Sequence, residues 1–326
     1  MIRILIVLLL CVPALARASY AGRPEIEAFV RELAQRHGFV EGELQRVFSR
    51  VQRVEPVLEA IARPAERVRS WEEYRALLIT ERRIAEGTEF WKKYRRTLER
   101  AERKYGVPPQ YVVAIIGVET YYGRNTGSWR VVDALTTLAF DYPPRARFFR
   151  NELESYLLMA REAGIDVFSV RGSYAGAIGI PQFMPSSARR YAVDFDGNGV
   201  IDLQKSRSDS IGSVANFLKV HGWQRDADVM LHARVTGDAW RAYSDGQFEP
   251  KHSMAELRQA GVEFDSAGRP GASGALIELA NAKRPNDYRV GLRNFYVITR
   301  YNRSALYAAA VADLARELSR AYDLGK

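Results

Sequence analysis

The chain has 326 residues, of which 47% are hydrophobic and 27% are charged, and this composition excludes an intrinsically disordered protein. Its length is sufficient for a large core and for more than one domain. The formal net charge of +9 indicates an acidic partner, which leaves nucleic acid, an anionic membrane or an acidic polymer such as the bacterial cell wall.

The N-terminal segment has the pattern of a secretory signal peptide. Arg3 precedes an apolar run over residues 4–12, and small residues then predict cleavage after Ala16 or Ala18. The run is too short to remain in a bilayer as a permanent anchor. We therefore expect residues 1–18 to be removed and the mature protein to lie in the periplasm, which argues against a nucleic-acid partner.

Cys11 is the only cysteine of the chain. It is a candidate for lipid attachment, which would make the protein an outer-membrane lipoprotein, but the bulky Leu10 stands where that processing needs a small residue. We favour loss of Cys11 with the signal peptide. The mature chain then has no thiol, which excludes disulfides, thiolate metal sites and cysteine nucleophiles.

Helical periodicity dominates the segment that follows. Apolar residues recur at three- and four-residue spacings from residue 23 to about residue 103, with one amphipathic helix predicted from Trp71 to about Ile84 and a long one over residues 89–104. We predict a helical domain over residues 19–102, joined by helices within residues 144–165. Further apolar helices are predicted over residues 131–140 and 147–163.

Glu119 lies near the end of an apolar segment that Pro108 and Pro109 open and Gly123 closes. The prolines at its start, the glycine at its end and the apolar residues on nearly every side predict a buried helix. Burial and the negative end of the helix dipole both raise the pKa of a carboxyl group there, towards a value suited to a general acid near neutral pH. The residues alone equally allow a structural role, in which Glu119 pairs with Arg124 or another arginine.

Residues 173–187 read S-Y-A-G-A-I-G-I-P-Q-F-M-P-S-S, where glycines and small residues allow close backbone approach. Gln182, Phe183 and Met184 occupy the middle of this turn region. An amide beside apolar side chains suits a carbohydrate cleft, where sugar hydroxyls need hydrogen bonds and sugar faces need apolar contact. The alternative, which spacing alone favours, is a glycine-rich loop that packs against helices.

Residues 194–200 match the start of an EF-hand calcium loop. The match consists of oxygen donors at Asp194, Asp196 and Asn198, Gly199 at the sharp turn, and the backbone carbonyl of Val200. Lys205 takes the twelfth position, where such loops normally have a bidentate glutamate, and the next carboxylate is Asp209. Either Asp209 closes an enlarged loop, or the calcium site is weak or empty. A surface turn rich in Asp and Asn is the structural alternative.

The residue pattern changes in the last third of the chain. Short strands are predicted over residues 228–235, 275–279 and 288–292, separated by glycine, proline, aspartate and serine. We therefore predict a small β-containing subdomain over residues 223–290. Residues 294–302 then lead into a C-terminal helix with regular apolar spacing.

Five strings together resemble the lytic murein transglycosylases of the membrane-bound B type, including its soluble form. The strings are Y-G-V-P-P (105–109), I-I-G-V-E-T-Y-Y-G (115–123), residues 173–187, the calcium loop with I-G-S-V-A-N-F-L-K-V-H-G-W (211–223), and N-F-Y-V-I-T-R-Y-N-R-S (294–304). Their order and spacing agree along nearly the whole mature chain.

The resemblance implies a mainly α fold of the α+β type, with a lysozyme-like core, an added helical domain and a small β subdomain. The core would comprise residues 103–222 and 291–326, with the calcium loop at residues 194–209. The catalytic acid of the family falls on Glu119. Its substrate-binding residues fall on Ser173, Gln182, Phe183, Tyr301, Asn302 and Tyr307, with only Arg145 left of an arginine pair because Pro144 takes the other place.

The resemblance also implies calcium as a structural ion, held by Asp194, Asp196, Asn198, the Val200 carbonyl and Asp209. The loop is one residue longer than is usual in the family. No organic cofactor is implied. The substrate would be the glycan strands of peptidoglycan, cell-wall synthases are candidate partners, and we expect a monomer.

The implied reaction is cleavage of the β-1,4 bond between N-acetylmuramic acid and N-acetylglucosamine. Most glycosidases need two carboxylates, but Asp133 and Asp141, the next after Glu119, lie in or at the end of an apolar helix. We therefore expect Glu119 to act first as acid and then as base, with formation of a 1,6-anhydro ring. The alternatives are a hydrolytic muramidase with a second acid, and a non-catalytic, calcium-stabilised protein that binds the cell wall.

Overall fold

Helices form most of the chain in the computed structural model, which describes residues 20–62, 69–265 and 271–325. The predicted signal peptide and Cys11 lie outside the described residues. In chain order the helices are α1 (Pro24–His37), α2 (Glu41–Arg50), α3 (Glu55–Ala62), α4 (Trp71–Leu78), α5 (Glu81–Lys93), α6 (Arg95–Tyr105), α7 (Pro109–Thr120), α8 (Val131–Asp141), α9 (Ala146–Glu162), α10 (Pro185–Tyr191), α11 (Arg207–Val220), α12 (Met254–Gln259), α13 (Arg293–Tyr301) and α14 (Ala305–Leu324).

The strands form two antiparallel sheets. They are β1 (Trp129–Arg130), β2 (Arg171–Gly172), β3 (Met230–Val235), β4 (His252–Ser253), β5 (Val262–Phe264), β6 (Ser273–Leu279) and β7 (Asp287–Gly291). β1 pairs with β2, and the other five lie in the order β4-β6-β7-β3-β5. Leu276 and Val290 face each other across β6 and β7 and are both buried. The predicted combination of a mainly α fold with a small β-containing part is confirmed.

Two of the predicted helices are each divided in the structure. The helix predicted over residues 89–104 is interrupted at Tyr94, whose φ of −105° and ψ of 21° are not helical, and the Tyr94 ring packs on Phe90 at 4.7 Å. The helix predicted from Trp71 ends at Leu78, because Thr80 caps α5 by accepting a hydrogen bond from the Arg83 N–H at 3.2 Å. The interpretation of both segments as continuous helices was therefore wrong.

Buried side chains form three clusters. The main core combines α4–α7, α11, α13 and α14, the N-terminal core combines α1–α3 with α8 and α9, and the sheet core lies between the sheet and α12. Helices α4–α6 thus pack with α7, whereas α1–α3 pack with α8 and α9. The proposed domain boundaries, including the one at residue 102, stay a prediction.

None of the helices in the described ranges combines the length and the apolar character that crossing a membrane requires.

Candidate functional site

Helix α7 carries Glu119 in its last turn. Pro109 occupies the first turn, where its missing N–H costs nothing, and the side chains of residues 112–116 are fully buried. After the helix, Tyr121 and Tyr122 have φ values of 52° and 62°. Two successive non-glycine residues in the left-handed region are uncommon and need support from their surroundings.

Tyr122 obtains that support from two glycines. A Cβ atom on Gly117 would lie 2.7 Å from the Tyr122 ring, and one on Gly87 in α5 would overlap the Tyr122 hydroxyl. The same hydroxyl donates a hydrogen bond to the Arg83 carbonyl at 2.8 Å. The missing side chains make room for the ring, and the ring joins α5 to the end of α7 beside Glu119.

The Glu119 carboxyl group is enclosed by protein but not sealed. The residue is partly exposed, and the Tyr307 hydroxyl donates a hydrogen bond to its Oε1 atom at 2.6 Å. Burial raises the pKa of Glu119 from 4.5 to about 7, and the bond from Tyr307 opposes this by favouring the charged form. At neutral pH this group can therefore either release or accept a proton.

Arg124 is not the partner of Glu119. Its Nη1 atom lies 2.7 Å from Oε2 of Glu86, and its guanidinium lies over the Tyr121 ring at 5.5 Å. Within the described ranges Glu119 forms no ion pair with any arginine or lysine. The structural alternative for Glu119 is therefore wrong in the described part of the chain.

The two carboxylates that follow Glu119 in the sequence have other roles. Asp133 is 4% exposed and is paired with Arg130 at 2.6 Å, and Asp141 accepts a hydrogen bond from the Tyr20 hydroxyl at 2.5 Å. Both lie on α8, in the N-terminal core. Neither contributes to the pKa shift of Glu119, so neither acts as its close partner.

Two tyrosines form a wall beside Glu119. The rings of Tyr301 and Tyr307 are nearly parallel, with centroids 6.5 Å apart, and the Tyr301 hydroxyl donates to the Pro181 carbonyl at 2.5 Å. Burial and the neighbouring Glu119 raise the pKa of both tyrosines well above its ordinary value, so both stay neutral. The predicted Tyr301 and Tyr307 are thus brought together with Glu119.

Phe183 lies behind this wall. It is 2% exposed, and its ring packs on Tyr301 and Phe217 with centroids 5.6 Å away in both cases. The ring was expected to face a sugar, but in this structure it supports Tyr301 from the protein interior. Its backbone also pairs with Ile178 in an isolated antiparallel bridge.

Gln182 and Ser173 hold the glycine-rich loop in shape. Gln182 has a left-handed φ of 50°, and its Nε2 atom donates to the carbonyls of Thr126 at 3.1 Å and Gly179 at 2.8 Å. The Ser173 hydroxyl accepts from the Ala177 N–H at 3.0 Å. Among the residues that the structure describes, the side-chain oxygen of Gln182 accepts no hydrogen bond, so the loop can offer an acceptor to a ligand.

Asn302 and Arg145 stand further from the carboxyl group. Asn302 is exposed just after α13, and Arg145 is exposed with its guanidinium 4.4 Å from the Phe148 ring centroid. Across the described residues, no direct contact links either side chain to Glu119. Their positions on the outer surface suit contacts with a long ligand rather than with the reacting bond.

Tyr74 on α4 is partly buried and packs against the main core. Burial raises its pKa, and so does the charge of Glu119. A single aromatic residue in an amphipathic helix carries no sequence signal that separates a core role from a role near the carboxyl group.

The predicted calcium loop brings three carboxylates together. Oxygen atoms of Asp194, Asp196 and Asp209 lie within 4.8 Å of one another. Asp209 belongs to the first turn of α11 and is fully buried, and its oxygens accept from the N–H groups of Phe195 at 2.8 Å and Asp202 at 2.9 Å. The loop is therefore folded around Asp209, the carboxylate that lies beyond the usual twelfth position of such a loop.

The charge of this cluster fits a cation. In the described ranges none of the three carboxylates forms an ion pair with a basic side chain, although Asp209 is 0% exposed. A buried carboxylate without a counter-charge is costly. Hard oxygen ligands from a flexible loop are what calcium prefers. Asn198 and the exposed Val200 complete the loop, with Asn198 Oδ1 accepting from the Val200 N–H at 2.8 Å.

Comparison with known proteins identifies close relatives. The family model described as the transglycosylase SLT domain matches residues 21–316. Membrane-bound lytic murein transglycosylase B of Escherichia coli (strain K12) is 39% identical over 319 residues, covering 93% of this chain and 85% of that protein.

Solved structures agree with these matches. The crystal structure of soluble lytic transglycosylase SltB1 from Pseudomonas aeruginosa is 49% identical, with a TM-score of 0.87, and covers 92% of this chain and 100% of that chain. Escherichia coli Slt35 in complex with calcium is 40% identical, with a TM-score of 0.84, and covers 93% of this chain and 95% of that chain.

Proposed function

The chain belongs to the transglycosylase SLT domain family as a lytic murein transglycosylase, and from that premise we propose that Glu119 is its acid and then its base. The observation that carries the proposal is the partly exposed carboxyl group with a pKa of about 7, whose hydrogen-bond partner among the described residues is Tyr307. The bond cleaved in this proposal is the β-1,4 linkage from N-acetylmuramic acid to N-acetylglucosamine.

In the first step, protonated Glu119 donates its proton to the glycosidic oxygen. The bond from that oxygen to the anomeric carbon breaks, and N-acetylglucosamine leaves as an alcohol. The N-acetyl group of the muramic acid assists at the anomeric carbon, as in substrate-assisted glycosidases. Glu119 is left as a carboxylate, which the hydrogen bond from Tyr307 stabilises.

In the second step, the Glu119 carboxylate removes the proton from the C6 hydroxyl of the same muramic acid. The C6 oxygen attacks the anomeric carbon and closes the 1,6-anhydro ring, so no water is consumed and Glu119 regains its proton. An attacking group held within the same sugar has an entropic advantage over water. The absence of a second carboxylate beside Glu119 among the described residues supports this route.

The other predicted site residues bind the glycan strand in this proposal. Tyr301 and Tyr307 face the sugar at the cleaved bond, and Phe183 fixes Tyr301 from behind. Ser173 and Gln182 offer hydrogen bonds from the glycine-rich loop. The exposed side chains of Asn302 and Arg145 contact more distant parts of the strand. Gln182 and Asn302 would bind the acetyl group and the hydroxyls, and Arg145 would bind acidic groups.

Calcium is the structural cofactor in this proposal, held by Asp194, Asp196, Asn198, the Val200 carbonyl and Asp209. The carboxylate cluster and the absence of a basic partner for it in the described ranges support calcium. Since Asp209 begins α11, the ion would tie the loop to a helix of the main core. Its contribution would be stability rather than chemistry.

The site of action follows from the substrate. Murein lies outside the cytoplasmic membrane, which agrees with the export signal expected in residues 1–18, and we assign the enzyme to the periplasm as a monomer. Cell-wall synthases are the partners that would consume or supply the strand ends that it creates.

Mass spectrometry of digested peptidoglycan sacculi tests the proposal. Wild-type protein should release muropeptides with 1,6-anhydro ends, which are one water lighter than hydrolytic products, and Glu119→Gln should release almost none. Hydrated reducing ends would instead establish a muramidase. If wild-type protein binds sacculi and releases nothing, the non-catalytic alternative is correct.

A further inference from the structure

We propose that a basic strip beside the cleft, formed by Arg50, Arg130 and Arg171 around Phe168, binds carboxylates of the stem peptides that the glycan strand carries. This inference rests on the proposed function, because it assigns a recognition site for a second part of the same substrate.

Phe168 is the centre of the strip. The guanidinium carbon of Arg50 lies 4.3 Å from the Phe168 ring centroid, and that of Arg130 lies 5.4 Å from it. Arg130 on β1 and Arg171 on β2 are paired residues in the antiparallel ribbon. Paired residues project to the same face of a ribbon, so Arg171 extends the strip that Phe168 organises.

The strip carries surplus positive charge. Asp133 pairs with Arg130 at 2.6 Å. The positive charge of Arg171 also acts to lower the pKa of Asp133. Asp166 accepts a hydrogen bond from the Phe168 N–H at 3.0 Å. Over the described residues, neither Arg50 nor Arg171 forms an ion pair, and both are exposed. Of the three guanidinium groups, one is therefore paired with a carboxylate in the described part of the chain.

The backbone of the strip is continuous with the cleft. Gln182 donates to the Thr126 carbonyl at 3.1 Å, which fixes the start of the loop that leads into β1. Arg171 donates to the Ser128 carbonyl at 2.7 Å in the same loop, and Ser173 follows β2 directly. A strand bound at Gln182 and Ser173 would thus have its substituents beside the strip.

The chemistry of stem peptides matches these groups. The peptides are attached to the lactyl group of muramic acid and carry free carboxylates along their length. Arginine presents a planar fork of donors that matches a carboxylate, and a guanidinium held over an aromatic ring is already oriented. The uncharged sugars of the strand offer no comparable partner for two unpaired arginines.

Binding and kinetics with two forms of the substrate test this site. The double variant Arg50→Gln/Arg171→Gln is compared with wild type on intact sacculi and on sacculi whose free carboxylates have been converted into neutral amides by carbodiimide coupling with methylamine. Arg130 is retained, because its loss would leave the buried Asp133 without its ion-pair partner. Arg31→Gln, an exposed position on α1, is the matched control for loss of charge.

On intact sacculi the double variant should show a KM about three- to tenfold higher with kcat unchanged, since exposed ion pairs contribute modestly. On amidated sacculi it should match wild type, and Arg31→Gln should match wild type on both. An unchanged KM on intact sacculi, or an equal rise on both substrates, would overturn the proposal.

Co-sedimentation separates this inference from the catalytic proposal. In a Glu119→Gln background the protein should bind intact sacculi more tightly than amidated ones, and the two arginine changes should remove that difference. This result is independent of cleavage. If wild type forms no anhydro products, the proposed reaction fails while the binding comparison still decides the role of the strip.

Discussion

At neutral pH the Glu119 carboxyl group is near the midpoint of its titration, because its pKa is about 7. A group at this point loses and regains a proton with little free-energy difference between the two forms. One residue that serves both steps of the proposed reaction needs this balance. An ordinary glutamate, with a pKa near 4.5, would be a base at neutral pH but a poor acid.

The dependence of kcat/KM on pH should report this residue. The first step needs protonated Glu119, and its pKa is raised, so the acid form persists up to about pH 7. We expect a plateau below that pH and a fall of about tenfold per pH unit above it. Turnover of soluble glycan strands measured between pH 5 and 9 checks this. A fall of kcat/KM that begins near pH 4.5 would contradict the raised pKa of Glu119.

Tyr307→Phe provides the sharper comparison. The Tyr307 hydroxyl stabilises the charged form of Glu119, so its removal raises the pKa of Glu119 further and moves the fall to higher pH. Tyr301→Phe is the matched control for the pKa, because the Tyr301 hydroxyl donates to Pro181 and not to Glu119. Equal shifts in the two variants would show that the hydrogen bond from Tyr307 is not the cause.

Among the helices, the contact of α5 with the end of α7 leaves no room for a side chain at Gly87. Gly87→Ala would place a methyl group 2.5 Å from Leu318 Cδ2 and against the Tyr122 hydroxyl. We expect the free energy of unfolding to fall by about 1–3 kcal/mol, as in other overpacked cores. The value of kcat should also fall, because Tyr122 follows the turn that carries Glu119. Urea unfolding and strand turnover measure the two effects.

Gly42→Ala is the matched control for this substitution. A Cβ atom on Gly42 in α2 would find its nearest neighbour, an Arg46 nitrogen, at 3.9 Å. The same change should there increase the free energy of unfolding by about 0.5–1 kcal/mol, since alanine favours the helix. Equal stability of the two variants would mean that the Tyr122 slot is not tight.

The calcium loop is joined to α11 through Asp209, which lies in the first turn of that helix. Calcium should raise the Tm of the wild-type protein by several degrees over that in a chelator, through binding to the folded state alone. Asp209→Asn should abolish this shift, because Asp209 is the buried member of the carboxylate cluster. Asp238→Asn, at an 86% exposed side chain, should keep it. Differential scanning calorimetry with and without calcium measures the shifts, and an unchanged Tm in wild type would contradict an occupied loop.

Local sequence signals predicted some of these elements and not others. Helix α7 was predictable because Pro109 and a run of apolar residues mark it within one segment. The slot for Tyr122 was not, since it depends on Gly87, which is distant in sequence. The break at Tyr94 has neither glycine nor proline to announce it.

In the candidate site, too, some features could be predicted from the sequence and others could not. Glu119 stood out as a charged group in an apolar helix, and the spacing of Asp194, Asp196 and Asn198 indicated a metal loop. The partner of Arg124 and the inward position of Phe183 depend on packing between distant segments. Burial of an aromatic side chain in a glycine-rich turn cannot be read from the turn itself.

For the molecule as a whole, Asp141 connects the start of the described chain to the N-terminal core. It accepts hydrogen bonds from Tyr20 at 2.5 Å, Arg23 at 2.9 Å and Arg53 at 3.1 Å. Its position at the end of α8 joins three segments whose apolar side chains also pack in the N-terminal core. The connection belongs to the N-terminal core and not to the cluster around Glu119.

Asp141→Ala should therefore lower the free energy of unfolding without changing turnover of the folded enzyme. Loss of one carboxylate removes a hydrogen bond from each of Tyr20, Arg23 and Arg53, which costs about 2–4 kcal/mol. Glu25→Ala, which removes a contact of 4.0 Å to Arg23, is the control and should cost less than about 0.5 kcal/mol. A large drop in kcat at low temperature for Asp141→Ala would contradict the separation of the two cores.

The anchoring of Tyr20 has a consequence for how far the enzyme can travel. Tyr20, the first described residue, is 0% exposed. Cleavage after Ala16 or Ala18, which the sequence predicts, would leave no more than Arg17, Ala18 and Ser19 ahead of it. A lipid on Cys11 would instead leave residues 12–19 as a tether of at most about 30 Å, because an extended residue spans about 3.5 Å. Processing of the leader would thus decide between two working distances, one confined to the murein next to the membrane and one limited only by diffusion.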